Sequence, residues 1–235
     1  MTSAYANPYT VAAAAPSDRA LFIRRTYGHL GMAILAFIGV SWFLLQQSWV
    51  EPLVYKMTGG MSWLLVLGAF MVVSFIANRF AESQTSRGLQ YAGLILYVVA
   101  QAVIFLPLLF VAANFANDDL IFAKAGGTTL AIFGGLTLAA FVTRKDFSFL
   151  RSFLVVGGFV ALGAIVVSII FGFNLGTLFA AAMAIFASVS ILYNTSNIIH
   201  HYHTGQYVAA ALGLFASVAL LFWYILQLFL AFGRD

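Results

Sequence analysis

Hydrophobic residues fall into seven long runs, parted by short segments that hold most of the charged residues. A run of about 20 apolar residues is long enough to cross the hydrocarbon core of a bilayer as a helix. The pattern predicts transmembrane helices over about 27–46, 61–78, 89–113, 121–142, 149–172, 175–198 and 207–232. Pro107 falls inside the third and removes a backbone donor there, so a kink is expected. Only Gly172-Phe173-Asn174-Leu175-Gly176 separates the fifth from the sixth, which predicts a tight hairpin and antiparallel neighbours. Small residues step along one face of each of these two helices, at Gly157, Ala161, Ala164 and Ser168 and at Thr177, Ala181, Ala184 and Ser188. Such stripes let helices approach closely, and they read as bundle packing rather than a pore wall.

Composition agrees. The chain is 63% hydrophobic and 8% charged, against about 45–50% and 25% in soluble domains. The fold class is therefore an all-α membrane protein, a bundle of seven transmembrane helices with no room for a second globular domain. Residues 1–20 are expected to be a flexible tail, with Pro8, Pro16 and the run Ala12–Ala15 and nothing to bury. Residues 21–235 form the membrane domain. No early basic segment precedes an apolar core, so no cleavable signal peptide is expected.

Charge adds an orientation. With a cytoplasmic N-terminus, the inside segments hold Arg19, Arg24, Arg25, Arg79, Arg87, Arg144, Lys145 and Arg151, and the outside segments hold Lys56, Lys124 and Arg234. Basic residues concentrate in cytoplasmic loops, so the expectation is N-terminus inside and C-terminus outside. The net charge of +4 is thereby a topology signal and not a footprint for nucleic acid.

Candidate chemistry is sparse. Cysteine is absent, which removes disulfides, thiolate metal sites and cysteine nucleophiles. No Asp, Glu, Lys or Arg lies deep in a predicted span, where a charge costs about 2.5–3.5 kcal/mol and marks an ion path or proton relay. No metalloprotease, nucleophile-elbow or phosphate-loop motif is present, so neither enzymatic activity nor a cofactor is expected. Three polar features stand out. Tyr193-Asn194-Thr195-Ser196-Asn197 ends the sixth span with polar side chains that need partners. His200, His201 and His203 follow in one loop, where they read as interfacial, with metal binding or titration near neutral pH as the lesser alternative. Gln101 and Ser217 lie within spans, where such side chains hydrogen-bond between helices.

Three strings carry a family resemblance: Thr143-Arg144-Lys145-Asp146-Phe147-Ser148-Phe149-Leu150, Tyr193-Asn194-Thr195-Ser196-Asn197-Ile198-Ile199-His200, and Phe232-Gly233-Arg234-Asp235. Together they resemble the Bax inhibitor family, nearest to its bacterial YccA-like branch, over about residues 20–235. The resemblance implies a seven-helix bundle in the bacterial inner membrane, with a cytoplasmic N-terminus and a periplasmic C-terminus. It implies a partner, the membrane-anchored AAA protease FtsH, which YccA-like proteins bind and restrain and which engages them through the N-terminal tail. Other members resemble pH-gated calcium leak channels, in which acids in the sixth and seventh helices share a proton-sensitive contact. Those acid positions align here with Asn194 and Ser217, and neither titrates. The resemblance therefore favours the protease modulator, with Gln101, Asn194, Thr195, Ser196 and Ser217 as the polar lining a leak pathway would use. A hydrogen bond between Asn194 and Ser217 is expected to tie the two helices.

Overall fold

A computed structural model of the chain describes residues 10–233. Residues 1–9 of the expected tail, and Arg234 and Asp235 of the third string, lie outside the described residues. Eight helices run in order: α1 (Pro16–Leu45), α2 (Val50–Thr58), α3 (Ser62–Ala81), α4 (Arg87–Phe115), α5 (Ile121–Thr143), α6 (Leu150–Phe171), α7 (Gly176–His200) and α8 (Tyr207–Phe232). All but α2 are long and apolar enough to cross a membrane. The seven expected spans are thus present, and α4 continues through Pro107 as one helix.

Two features depart from the expectation. α1 begins at Pro16, eleven residues before the start predicted for the first span. Proline suits a first helical turn, where its missing N–H has no partner to lose, so residues 16–20 are helix and not tail. The second departure is α2, which the span pattern passes over. Its Val50, Val54 and Met57 are buried, a four-then-three spacing that lays one helix face down. Val50 and Val54 pack against Leu106 of α4.

α8 is the axis of the bundle. It packs on α7, α1, α5 and α4, and more lightly on α3. Fifteen of its 26 residues are buried. Its first half is rich in small side chains, including Ala209, Ala210, Ala211, Gly213, Ser217 and Ala219, which lets neighbouring helices come close where lipid offers no hydrophobic drive to association. α6 is the opposite case. It packs chiefly on α7, buries only Ala161 and Ser168, and leaves Phe153, Val156, Phe159 and Val160 exposed for lipid.

Close crossings show in the glycines. A Cβ on Gly93 of α4 would lie 2.5 Å from the Ala77 carbonyl oxygen and 2.7 Å from the Ala81 nitrogen of α3. A Cβ on Gly157 would meet the Phe186 ring at 2.9 Å, so the α6 stripe does pack on α7. The stripe expected on α7 is displaced: Thr177 is exposed, and the buried face runs through Ala180, Ala184, Ala187 and Ile191. The α6–α7 hairpin closes with Gly172 and Gly176 at positive φ and with the Asn174 side chain accepting the Gly176 N–H at 2.8 Å.

Candidate functional site

The polar residues of α7 and α8 meet inside the bundle. Asn194 Nδ2 donates to Ser217 Oγ at 2.8 Å, and lies 3.3 Å from the Gly213 carbonyl and 3.4 Å from Ser190 Oγ. Ser217 Oγ donates to the Gly213 carbonyl at 3.1 Å. With its one proton so placed, Ser217 accepts from Ser190 Oγ at 2.8 Å as well as from Asn194. Ser217 is thereby fully bonded, and the knot holds no charge. Gly213 makes room for it: a Cβ there would sit 3.3 Å from Asn194 Oδ1 and 3.5 Å from the Tyr202 hydroxyl. Sequence reasoning missed Ser190 and Gly213. Each lies four residues before a residue it did single out, which places it on the same helix face.

The remaining candidates lie elsewhere. Ser196 is fully buried, and its Oγ accepts the Phe147 N–H at 2.8 Å and approaches the Lys145 carbonyl at 3.5 Å. Thr195 is also fully buried, beside the hydroxyls of Tyr27 and Thr137, and none of the three completes a regular hydrogen bond. Gln101 sits at the middle of α4, apart from both groups, facing a crevice between α4 and α6. The five polar residues are distributed over separate places and do not form one continuous lining.

The three histidines also separate. His201 Nε2 lies 3.1 Å from the Asp146 carboxylate. His200 Nε2 is buried without a partner. The His203 backbone N–H donates to Gln206 Oε1 at 3.1 Å. Among the described residues, no three His, Asp or Glu side chains gather as a metal site requires. Partial burial raises the Asp146 pKa, but the Ser148 backbone N–H, His201 and the Ser148 side chain outweigh it, and the carboxyl is held below its ordinary value. Asp146 and Ser196 thus join the first two strings: the α5–α6 loop is tied to the end of α7 from both sides.

The N-terminal segment docks on the same face. The Val11 N–H donates to the Tyr202 carbonyl at 2.9 Å, and Thr10 bridges to His203. Val11 is fully buried. Arg19 Nε donates to the Val11 carbonyl at 3.1 Å, and its Nη2 donates to the Ala12 carbonyl. The expectation of a tail with nothing to bury therefore fails from Thr10 onward, because Val11 fastens it to the α7–α8 loop and Arg19 ties it back to α1.

This arrangement joins the first two quoted strings at one face of a seven-span bundle, and it agrees with the comparisons. Residues 19–234 match the family described as inhibitor of apoptosis-promoting Bax1. An uncharacterised protein of Pseudomonas aeruginosa is 32% identical over 182 residues, covering 76% of this chain and 75% of that protein. An uncharacterised membrane protein of Vibrio cholerae is 33% identical over 94 residues, or 40% of this chain and 42% of its own. A match from Arg19 to the last helix, over a bundle of this architecture, means that the chain belongs to the Bax inhibitor family.

Proposed function

We propose that this chain is a non-enzymatic protein of the bacterial inner membrane that binds the AAA protease FtsH and restrains it. The reading rests on the YccA-like resemblance together with one observation, the uncharged knot at Asn194 and Ser217. A proton gate needs two carboxylates close enough to shift each other's pKa. An amide bonded to a hydroxyl supplies a fixed tie instead. A bundle wrapped around α8 is slow to unwind from one end, and a slow substrate occupies the protease by competition. On this reading the basic face, with Arg24, Arg25, Arg79, Arg87, Arg144, Lys145 and Arg151, is cytoplasmic and the C-terminus periplasmic.

The second reading, a calcium leak, draws on the crevice that reaches Gln101. Both are tested in one preparation. The protein is reconstituted with FtsH and a membrane substrate in vesicles loaded with calcium dye. Slower proteolysis without a dye signal is the outcome expected. Unchanged proteolysis with a dye signal reverses the order of the two readings.

A further inference from the structure

Between α3, α4, α6, α7 and α8 lies a crevice of about 720 Å3. That volume falls within the range of about 300–1,000 Å3 typical of small-molecule sites. It opens where α6, held chiefly by α7, stands off from α3 and α4. Its lining includes Trp63, Asn174 and Gln227, which lie at or near the ends of their helices, and Gln101 at the middle of α4. Gln101 is fourteen residues from both ends of α4, which puts it about 21 Å from either end at 1.5 Å per residue.

Gln101 is 6% exposed, and its Oε1 has no hydrogen-bond partner. An orphaned buried amide is costly, and Gln101 is one of the side chains that line the crevice. Ile104, Phe105, Ile165 and Met183 are among the apolar side chains that line the crevice with it. The nearest hydroxyl on α6, Ser168 Oγ, already donates to the Ile165 carbonyl at 2.8 Å. A buried water needs two to four polar partners, and the α4 side chains that line the crevice with Gln101, Ile104 and Phe105, offer none. A phospholipid acyl chain would fill the apolar walls but leave the amide unbonded. No charged residue lines the crevice, so an ion entering it would have no counter-charge.

We propose that this crevice binds a neutral, membrane-dissolved molecule with an apolar body and a hydroxyl group that bonds Gln101. A hydroxyl both donates and accepts, so it satisfies the amide whichever way its oxygen and nitrogen are turned. Entry is lateral, from the bilayer past α6. The site stands apart from the protease reading and survives its failure.

Trp63 and Trp223 line the crevice with ring centroids 6.4 Å apart, which makes them internal reporters. The experiment uses the full chain carrying Trp42→Phe and Trp49→Phe, reconstituted in vesicles. It is titrated with ω-bromododecanol and, separately, with bromododecane, whose bromine quenches tryptophan. Saturable quenching is expected from both, with the alcohol binding about tenfold more tightly, the scale of one hydrogen bond. Gln101→Leu should abolish that preference while leaving hydrocarbon binding in place. Ala161→Phe, which fills the α6 wall, should abolish both. Non-saturable and equal quenching by the two probes would overturn the proposal, since it reports partition into the bilayer alone. An alcohol preference that survives Ala161→Phe would overturn it equally, and that arm decides the matter if Gln101→Leu does not fold.

Discussion

The side-chain amide of Asn194 donates to the hydroxyl of Ser217 at 2.8 Å, and the Ser217 hydroxyl in turn donates to the Gly213 carbonyl one turn away. α7 and α8 are therefore joined through a chain of neutral donors and acceptors. Removing the amide leaves Ser217 bonded to Ser190 and Gly213 but breaks the tie to Asn194. Asn194→Ala should destabilise the protein by about 1–2 kcal/mol, read as a lower unfolding midpoint in detergent. An unchanged midpoint would mean that the bond does not hold the helices.

Asn194→Asp removes the donor without changing the side chain's length. A carboxylate only accepts hydrogen bonds, so it cannot donate to Ser217 Oγ as the amide does, and it costs more to bury than a neutral amide. The variant should melt lower than the parent at neutral pH. Superimposed melting curves for the two proteins would contradict this.

Asp146 links the stability of its loop to pH. Its folded pKa is depressed despite partial burial, through the Ser148 amide and His201. The stabilisation is present above the ordinary carboxylate pKa and is lost as pH falls through the depressed value. The protection of the 144–149 loop against hydrogen exchange, taken relative to the intrinsic rate at each pH, should therefore fall in acid, below about pH 4. In Asp146→Asn the loop should exchange faster at neutral pH and lose that acid dependence.

Gly93 and Gly68 offer a paired test of packing. A methyl at Gly93 collides with the backbone of α3, whereas one at Gly68 meets nothing within 4 Å. Gly93→Ala should cost about 1–3 kcal/mol by overpacking. Gly68→Ala should be neutral or stabilising by up to about 1 kcal/mol through helix propensity. Equal effects in thermal melts would show that α3 and α4 do not cross closely at Gly93.

The clasp at Val11 bears on degradation. If FtsH engages the N-terminal segment, then Val11→Asp, which puts a charge into a fully buried position, should free residues 10–15 and shorten the half-life in cells. Deleting residues 2–18 should lengthen it. A half-life indifferent to both changes would separate the segment from turnover.

Much of the architecture was legible along the chain. The lengths of the apolar runs specified all seven spans, and Gly172 and Gly176 marked the hairpin. The pairing of Asn194 with Ser217 was legible only through family resemblance. The docking of Val11 was not legible, because a short alanine-rich stretch carries no sign of the Tyr202 carbonyl that receives its N–H. α2 was missed because nine residues are too few to register as a span.

The sequence by itself determined how many helices cross and which loops share the basic residues, because the bilayer core demands about 20 apolar residues per crossing. It did not determine which helix stands at the centre. α6 is the more apolar of α6 and α8, yet α6 lies at the edge and α8 is the axis. Lipid tails are as apolar as leucine, so a side chain facing lipid and one facing a neighbouring helix obey the same hydropathy. Only tertiary packing decided the difference: the small residues of α8 drew four helices around it, brought Asn194 to Ser217, and left Gln101 facing an open crevice.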